Sequence, residues 1–260
     1  MTDLSNSKNV RPVALVSGVG RRNGIGFAVA EQLARDGYDV ATSYWSPYDK
    51  RTFPGNEDNI APELEEHLAK LGARGLPIES DLENPEVVPQ LFDIIEARLG
   101  TLSALVMCHC ESVNSGILDT TIESFDRHFA VNARATWLLI REFGIRYTSA
   151  TGRGRIIAFT SDHTVGNVPY GASKGALDRI TIAASQEFAR LGITANVINP
   201  GPADTGWMTL DLKSQVERET PLGRIGTPVD SANLVSFLCS EEGGWLNGQL
   251  LNSNGGLRAG

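Results

Sequence analysis

Two residues that can carry acid–base chemistry, Tyr170 and Lys174, lie four positions apart in the segment PYGASKGAL. On a helix, this spacing places both side chains on one face. A phenol is a poor acid or base at neutral pH because its pKa lies near 10, and a neighbouring ammonium group favours the phenolate. Bringing that pKa to about neutrality takes about 4 kcal/mol, which one close and partly desolvated lysine can supply. The pair therefore predicts a catalytic tyrosine whose pKa is lowered by Lys174.

A hydroxyl group that can polarise a substrate carbonyl follows the run RIIAFT, which is typical of a strand. This residue is Ser161, and it lies where the carboxyl edge of a sheet is expected. Ser161 is the predicted third member of the catalytic group, with the adjacent Thr160 as the alternative.

Short apolar runs typical of strands alternate with amphipathic helical segments along the chain. The predicted strands are Val13–Ser17, Asp39–Tyr44, Leu76–Ser80, Leu102–Cys108, Arg155–Thr160, Ile193–Ile198 and Gly248–Asn252. Such continuously apolar runs are typical of a sheet covered on both faces. The pattern predicts one α/β domain over residues 1–260, with a Rossmann-type, doubly wound, mostly parallel seven-stranded sheet and helices on both faces. Residues 1–11 are expected to be a flexible tail, and residues 45–61 and 200–221 to be long ligand-binding loops.

The segment SGVGRRNGIG, residues 17–26, joins the first strand to a helix. Glycines at such a turn let backbone N–H groups approach a pyrophosphate. The second strand ends in TSYW and offers no carboxylate for a ribose 2′-hydroxyl, whereas two arginines in the turn suit a 2′-phosphate. We therefore expect NADP(H) rather than NAD(H), unless both arginines are simply solvated. The candidate cofactor-binding residues of this region are Gly18, Gly20, Arg21, Arg22, Gly24, Ile25, Gly26 and Ser43.

The composition excludes several classes of protein. A formal net charge of −8 argues against a nucleic-acid groove, which needs clustered cations. No apolar run approaches the roughly 20 residues that span a bilayer. The three cysteines give no disulfide framework, and the polar start MTDLSNSKNVRP is unlike a signal peptide. We expect a cytoplasmic protein that binds neither nucleic acid nor membrane.

Together these motifs resemble the short-chain dehydrogenase/reductase family, whose glycine fingerprint is TGxxxGxG. Gly20, Gly24 and Gly26 reproduce the GxxxGxG spacing, while Ser17 and Gly18 look like the leading Thr-Gly displaced by two residues. Either Gly18 or Gly20 can therefore take the role of the first glycine. The resemblance extends from about residue 13 to 256. Within the family, the sequence is similar to a branch labelled 3-oxoacyl-[acyl-carrier-protein] reductase.

The resemblance assigns further site residues. The family serine usually precedes the tyrosine by 13 residues, whereas here Ser161 precedes it by nine. Asn132, in FAVNARATW, matches an asparagine that helps to hold a water relay to the lysine, although an ordinary interhelical hydrogen bond is the alternative. Asp81 and Leu82 match a pair that contacts the adenine, and a helix N-cap by Asp81 is equally plausible.

The segment NPGPADTGWM matches the family motif beside the nicotinamide, with Pro200, Gly201 and Thr205 at the matching positions. One departure from the family follows the fourth strand, where Asn-Asn-Ala-Gly is replaced by residues 107–110, MCHC. Strand alternation would point His109 away from both cysteines, so we interpret these as buried structural thiols and expect no metal.

The resemblance implies an NADP(H)-dependent oxidoreductase that interconverts a carbonyl and a secondary alcohol in a small molecule, including 3-oxoacyl thioesters as a substrate class. It also implies a homotetramer. The alternative is a cofactor-binding regulatory or scaffold protein of the same fold that has lost catalysis.

Overall fold

One parallel sheet forms the centre of the molecule. The computed structural model describes residues 11–52, 60–148 and 153–257, and in these ranges seven strands pair in the order β3-β2-β1-β4-β5-β6-β7. All six neighbouring pairs are parallel. The strands are β1 (Val13–Ser17), β2 (Asp39–Tyr44), β3 (Gly75–Glu79), β4 (Leu102–Met107), β5 (Gly154–Phe159), β6 (Ile193–Asn199) and β7 (Leu250–Asn252). The predicted doubly wound α/β fold is confirmed.

Helices cover both faces of this sheet. They are α1 (Ile25–Arg35), α2 (Ser46–Thr52), α3 (Ala61–Lys70), α4 (Val87–Arg98), α5 (Ile122–His128), α6 (Ala135–Arg146), α7 (Val168–Glu187), α8 (Leu210–Glu219) and α9 (Pro228–Cys239). A π-helical turn, Phe129–Arg134, joins α5 to α6. The loops at the carboxyl ends of the strands connect to these helices and form the edge at which α/β proteins bind ligands.

Alternation along each strand divides the core into two layers. Leu15 faces a cluster built with α4, α6 and α7, whereas its neighbours Ala14 and Val16 face a second cluster built with α1, α3 and α9. Every residue of β1 is buried, which explains why its sequence is apolar without polar alternation.

The predicted loop at residues 45–61 is wrong in part, because it contains α2. Pro47 lies in the first turn of α2, where a missing backbone N–H costs nothing. The contacts that hold α2 come from distant segments, described below, so local composition did not reveal the helix. Residues 53–59 lie outside the described part of the chain.

The predicted loop at residues 200–221 is also wrong in part, since α8 occupies its second half. Thr209 caps this helix by accepting a hydrogen bond from the Leu212 backbone N–H. At the start of the chain, residues 1–10 of the expected tail lie outside the described ranges. Arg11 does not belong to a free tail, because its guanidinium donates to the carbonyl groups of Ala34 and Tyr38.

Candidate active site

The helix α7 carries Tyr170 and Lys174 at the carboxyl edge of the sheet. The Lys174 ammonium lies 5.7 Å from the centre of the Tyr170 ring, and only 2% of Lys174 is exposed. Its Nζ donates to the Phe159 carbonyl at 2.8 Å and lies 3.5 Å from the His109 carbonyl. Lys174 therefore links α7 to the ends of two adjacent strands while its charge remains close to the phenol.

Ser161 lies close enough to Tyr170 for its hydroxyl to lower the pKa of the phenol. The Ser161 hydroxyl oxygen also accepts from the His163 backbone N–H at 3.1 Å. The alternative, Thr160, is 5% exposed and directs its hydroxyl toward the Lys174 backbone carbonyl at 3.5 Å. The structure thus brings Ser161, rather than Thr160, into contact with the phenol.

The predicted lowering of the Tyr170 pKa is wrong for the protein as it stands. Burial raises the pKa of this phenol, the Cys110 thiol adds to the increase, and the Ser161 hydrogen bond opposes it. Burial also lowers the pKa of Lys174. Desolvation dominates because Lys174 is itself buried and donates to backbone carbonyls, so one lysine does not bring the phenol near neutrality.

Asn132 lies in the π-helical turn between α5 and α6, and π-helical turns are frequent at functional sites. Its amide oxygen accepts from the Glu111 N–H at 2.8 Å, and its amide nitrogen donates to the Glu111 carbonyl and the Ser173 hydroxyl, each at 2.9 Å. Asn132 is fully buried. Its side chain therefore fixes the segment after β4 against α7, next to Lys174.

The MCHC segment departs from the expected geometry, because β4 ends at Met107 and strand alternation does not extend to His109. His109 is 5% exposed, and its Nδ1 lies 2.6 Å from the Ser17 hydroxyl oxygen. Burial and the Lys174 charge lower the pKa of His109 to about 3, so the ring is neutral at pH 7. Cys108 and Cys110 are half-buried, and burial raises the pKa of the Cys108 thiol. Within the described ranges, no group of three potential ligands could hold a metal ion.

The glycine turn forms a cradle that a side chain would fill. Gly18 has φ +77°, and a Cβ there would lie 2.5 Å from the His109 backbone nitrogen. Gly26 packs against the Gly18 carbonyl, and α1 starts at Ile25 after Gly24 without a side-chain cap. Uncapped N–H groups at a helix N-terminus favour an anion, so the turn fits the pyrophosphate of a dinucleotide.

The same geometry separates the two candidates for the first glycine. Gly18 is required by its packing against the backbone after β4, whereas a Cβ on Gly20 would meet only the Asp49 carboxylate. Gly20 is therefore bounded by a movable side chain, whereas Gly18 is bounded by rigid backbone. Sequence spacing alone left both possibilities open.

The two arginines of the turn have protein partners and are not simply solvated. Arg21 donates to the Thr205 carbonyl at 2.8 Å, and its Nε lies 3.4 Å from a carboxylate oxygen of Asp49. Arg22 forms an ion pair with Glu63 in which both side chains are largely exposed. The Arg21 bond brings the loop after β6 to the glycine turn, so Thr205 lies at the same cleft.

The remaining predicted cofactor contacts lie at the ends of the strands. Ser43 is 1% exposed, and its carbonyl accepts from the Val19 N–H at 2.9 Å. Asp81 accepts from the Glu83 N–H at 3.0 Å and caps a turn, whereas α4 begins only at Val87. The N-cap alternative for Asp81 is therefore wrong. Leu82 is 7% exposed and belongs to the core.

The loop after β6 begins with Pro200 and Gly201. Gly201 has φ +61°, and a Cβ there would lie 2.5 Å from the Asn254 Cβ. Its N–H donates to the Asn199 side-chain oxygen at 3.1 Å. The glycine therefore allows this loop to pass close to the C-terminal segment before it reaches Thr205.

Four functional candidates were missed by the sequence reasoning: Tyr48, Asp49, Arg51 and Glu111. The Tyr48 hydroxyl lies 3.8 Å from the Cys110 sulfur. Burial raises the pKa of Tyr48, and the neighbouring Cys110 and Tyr170 side chains add to this increase. Arg51 donates to both carboxylate oxygens of Glu111, at 2.6 and 2.7 Å. The length of the segment after β2 was the only sequence signal for these residues.

Comparisons with known proteins agree with this architecture. A family model described as "Enoyl-(Acyl carrier protein) reductase" matches residues 18–258. "Uncharacterized oxidoreductase YjdA" of Bacillus subtilis is 34% identical over 257 residues, which cover 96% of this chain and 98% of that relative. A blue fluorescent protein from a metagenomic library, solved in complex with NADPH, has a TM-score of 0.84 at 30% identity and covers 95% of this chain and 98% of its own. Landomycin C-6 ketoreductase LanV, solved with bound NADP and rabelomycin, has a TM-score of 0.81 at 30% identity, covering 96% and 97%.

These matches extend over nearly the whole chain. A sheet of this topology with a glycine turn after β1 defines a dinucleotide-binding fold. The chain belongs to the short-chain dehydrogenase/reductase family of oxidoreductases. The resemblance drawn from its motifs is confirmed. No helix in the described ranges is long and apolar enough to cross a membrane.

Proposed function

We propose that this protein is an NADP(H)-dependent oxidoreductase that interconverts a carbonyl and a secondary alcohol. The grouping of the Ser161 hydroxyl, the Tyr170 phenol and the Lys174 ammonium, which lies 5.7 Å from the phenol ring centre, carries this proposal. These groups lie at the carboxyl edge of the sheet, where the glycine turn also opens. The bound nicotinamide would supply or accept the hydride.

The side chains have distinct roles in this proposal. Tyr170 gives a proton to the carbonyl oxygen in reduction and takes it back in oxidation. Ser161 donates a hydrogen bond to the same oxygen and stabilises the negative charge that develops on it. Lys174 would hold the nicotinamide ribose and place positive charge beside the phenol. Asn132 positions the Glu111 backbone and Ser173 next to this group and, as the family resemblance implies, supports proton supply.

The raised pKa of Tyr170 gives the protonated phenol as the resting form. Reduction of a carbonyl requires a proton donor, and a protonated phenol is ready for that direction. The oxidation of an alcohol requires the phenolate and becomes faster as the pH rises toward the tyrosine pKa.

NADP(H) is the proposed cofactor. The turn fits a pyrophosphate, and Arg22 forms an exposed ion pair with Glu63, so its guanidinium can exchange that partner for a 2′-phosphate. The two structural neighbours solved with NADPH or NADP support the same choice. Residues Ser43, Asp81, Leu82, Pro200, Gly201 and Thr205 are the other proposed contacts.

The cofactor assignment is tested by titrating NADPH and NADH into the wild type and the Arg22→Gln variant. We expect the wild type to bind NADPH more tightly, and the substitution to weaken NADPH binding about tenfold with little effect on NADH. Arg35→Gln is a matched control, because Arg35 lies at the far end of α1 and pairs with Glu31. Equal or tighter binding of NADH by the wild type would show that the assignment is wrong.

The catalytic assignment is tested by Tyr170→Phe. This change should abolish nearly all NADPH-dependent reduction while leaving the NADPH dissociation constant within about threefold. Tyr147→Phe is the matched control, since that phenol is buried against Phe143 and its oxygen has no hydrogen-bond partner among the described residues. Substantial turnover by Tyr170→Phe would remove Tyr170 from the proposed mechanism.

The substrate panel distinguishes chemical classes. It contains 3-oxoacyl thioesters, simple ketones, sugars and polycyclic aromatic ketones, the last because a neighbour is a ketoreductase solved with rabelomycin. In the loop between Thr205 and α8, Trp207 is half-exposed and Met208 is buried, and this loop can cover an apolar substrate. We propose 3-oxoacyl thioesters as one substrate class. Tight NADPH binding without turnover on any class would support the non-catalytic scaffold instead.

We also propose a homotetramer in the cytoplasm. Helices α5 and α6 expose apolar side chains, including Phe125, Trp137 and Ile145, and Phe125 stacks on Phe129 with ring centres 4.7 Å apart. Such a face is typical of a surface that associates with a second copy. Light scattering coupled to size-exclusion chromatography measures the mass, and a monomeric mass at micromolar concentration would contradict the proposal.

A further inference from the structure

The short helix α2 lies across the cleft in which the dinucleotide is proposed to bind. Three of its residues contact three different parts of that cleft. Asp49 contacts the glycine turn at Arg21, and Tyr48 contacts Cys110 after β4. Arg51 forms an ion pair with Glu111, the residue that follows Cys110. The helix therefore contacts the cleft at the phosphate end and at the catalytic end together.

At the phosphate end, a carboxylate stands where an anionic ligand would lie. The Asp49 carboxylate contacts the open side of Gly20 and pairs with the Arg21 guanidinium. The Asp49 side chain is only 13% exposed, and burial raises its pKa against the opposing effect of Arg21. A pyrophosphate would use the same glycine face and the same guanidinium, so Asp49 and a phosphate group cannot occupy this position together.

At the catalytic end, a phenol of α2 fills space next to the reacting groups. The Tyr48 hydroxyl reaches Cys110, and Tyr170 is close enough to influence its pKa. Since Tyr170 and Lys174 would hold the nicotinamide ribose, Tyr48 lies on the path of that sugar. This contact is independent of the carboxylate at the other end of the cleft.

An ion pair holds α2 in this position, in which one Arg51 nitrogen donates to both carboxylate oxygens of Glu111. Glu111 is 4% exposed, and both of its oxygens accept from Arg51. The Glu111 backbone is in turn fixed by the buried Asn132. The partner of Arg51 is thus rigid, and hydrogen bonds between charged groups are stronger than those between neutral groups.

We propose that α2 is an autoinhibitory cover that competes with NADP(H) for its own site, with Asp49 in the place of a phosphate and the Arg51–Glu111 pair as the latch. The inference rests on the proposed function, since it concerns the cofactor named there. Only molecules in which α2 has moved away can bind the dinucleotide, so the apparent affinity is reduced by the fraction of open molecules. Weakening the latch should therefore tighten NADPH binding.

The decisive variant is Arg51→Gln, because competition and simple electrostatics predict opposite results for it. Removing a cation near an anionic ligand weakens binding if α2 merely forms part of the wall. If α2 competes with the ligand, loss of the latch tightens NADPH binding, and we expect a decrease in the dissociation constant of about tenfold. Calorimetric titration of NADPH into the purified full-length protein measures this without turnover.

Lys50→Gln is the matched control, because it removes a positive charge from the same helix at an exposed position. It should leave the dissociation constant unchanged or slightly raised. Asp49→Asn provides a second test at the other end of the cover and should also tighten binding. A dissociation constant that is unchanged or higher in Arg51→Gln would overturn the proposal.

Amide hydrogen exchange gives a readout independent of affinity. If NADPH displaces α2, the amides of Ser46–Thr52 should exchange faster in the complex than in the free protein. Slower exchange would mean that α2 closes on the bound ligand, which overturns the inference while leaving the proposed function intact. If neither the wild type nor Arg51→Gln binds NADPH, the proposed function and this inference are both wrong.

Discussion

Replacing Gly18 by alanine should destabilise the fold, whereas the same change at Gly20 should not. Gly18 has φ +77°, and its new Cβ would lie 2.5 Å from the His109 nitrogen and 2.7 Å from the Cys108 carbonyl carbon. The left-handed backbone costs an L-residue about 1–2 kcal/mol. Moving rigid backbone out of a close contact costs about 1–3 kcal/mol more.

The total for Gly18→Ala is therefore about 3 kcal/mol. For a chain of this length, that loss corresponds to a fall in Tm of about 10 °C. In Gly20→Ala the new Cβ meets only the end of the Asp49 side chain, which can rotate away, and the backbone is not left-handed. We expect Gly20→Ala to keep its Tm within about 2 °C of the wild type.

Circular dichroism melts of the two variants and the wild type, without cofactor and at matched concentration, measure these differences. Titration with NADPH compares the binding of the same variants. We expect the methyl group of Gly20→Ala, on the side that faces Asp49, to weaken NADPH binding. A Tm of Gly18→Ala equal to that of the wild type, or an equal loss of Tm in the two variants, would contradict this prediction. Either result would mean that Gly18 is not locked against the backbone after β4.

Two further predictions concern buried polar groups. The pKa of His109 is about 3 in the folded protein against an ordinary 6.5, so as the pH falls the unfolded chain takes up the proton first, and stability present above pH 6.5 is lost. The free energy of unfolding should fall by about 2 kcal/mol between pH 7 and pH 5 for this reason. Urea unfolding at both pH values should show a fall smaller by that amount in His109→Asn. An equal fall in the wild type and the variant would show that His109 does not cause it. Asn132→Ala leaves the Glu111 N–H and carbonyl without their partner and should lower the free energy of unfolding by about 3 kcal/mol, whereas a loss below about 1 kcal/mol would show that water replaces the amide.

Most of the fold was predictable because it rests on local patterns. All seven strands were predicted within two residues of their observed ends, and the five inner strands are apolar over most of their length because helices cover both faces of the sheet there. The glycine turn and the four-residue spacing of Tyr170 and Lys174 were predictable for a similar reason. Each is fixed by a single turn or helix and needs no distant partner.

The environment of those residues was not predictable. The sequence suggested that Lys174 would lower the Tyr170 pKa, but the sign depends on how much water is excluded, and burial raises it. The spacing rules could not show which of the two glycines is packed against backbone, because the approach of Gly18 to His109 depends on the tertiary structure. The helix α2 was missed because Arg51 and Glu111, which hold it, are 60 positions apart in the chain.

The sequence by itself determined the α/β fold, the turn that can bind a pyrophosphate and the residues able to transfer a proton, because residue type and short spacing define each of these. The tertiary structure alone decided the contact between Ser161 and Tyr170, the burial that sets their proton affinity and the position of α2 across the cleft. Those properties arise from close packing between segments that are far apart in the chain, and their energies depend on distance and on the exclusion of water.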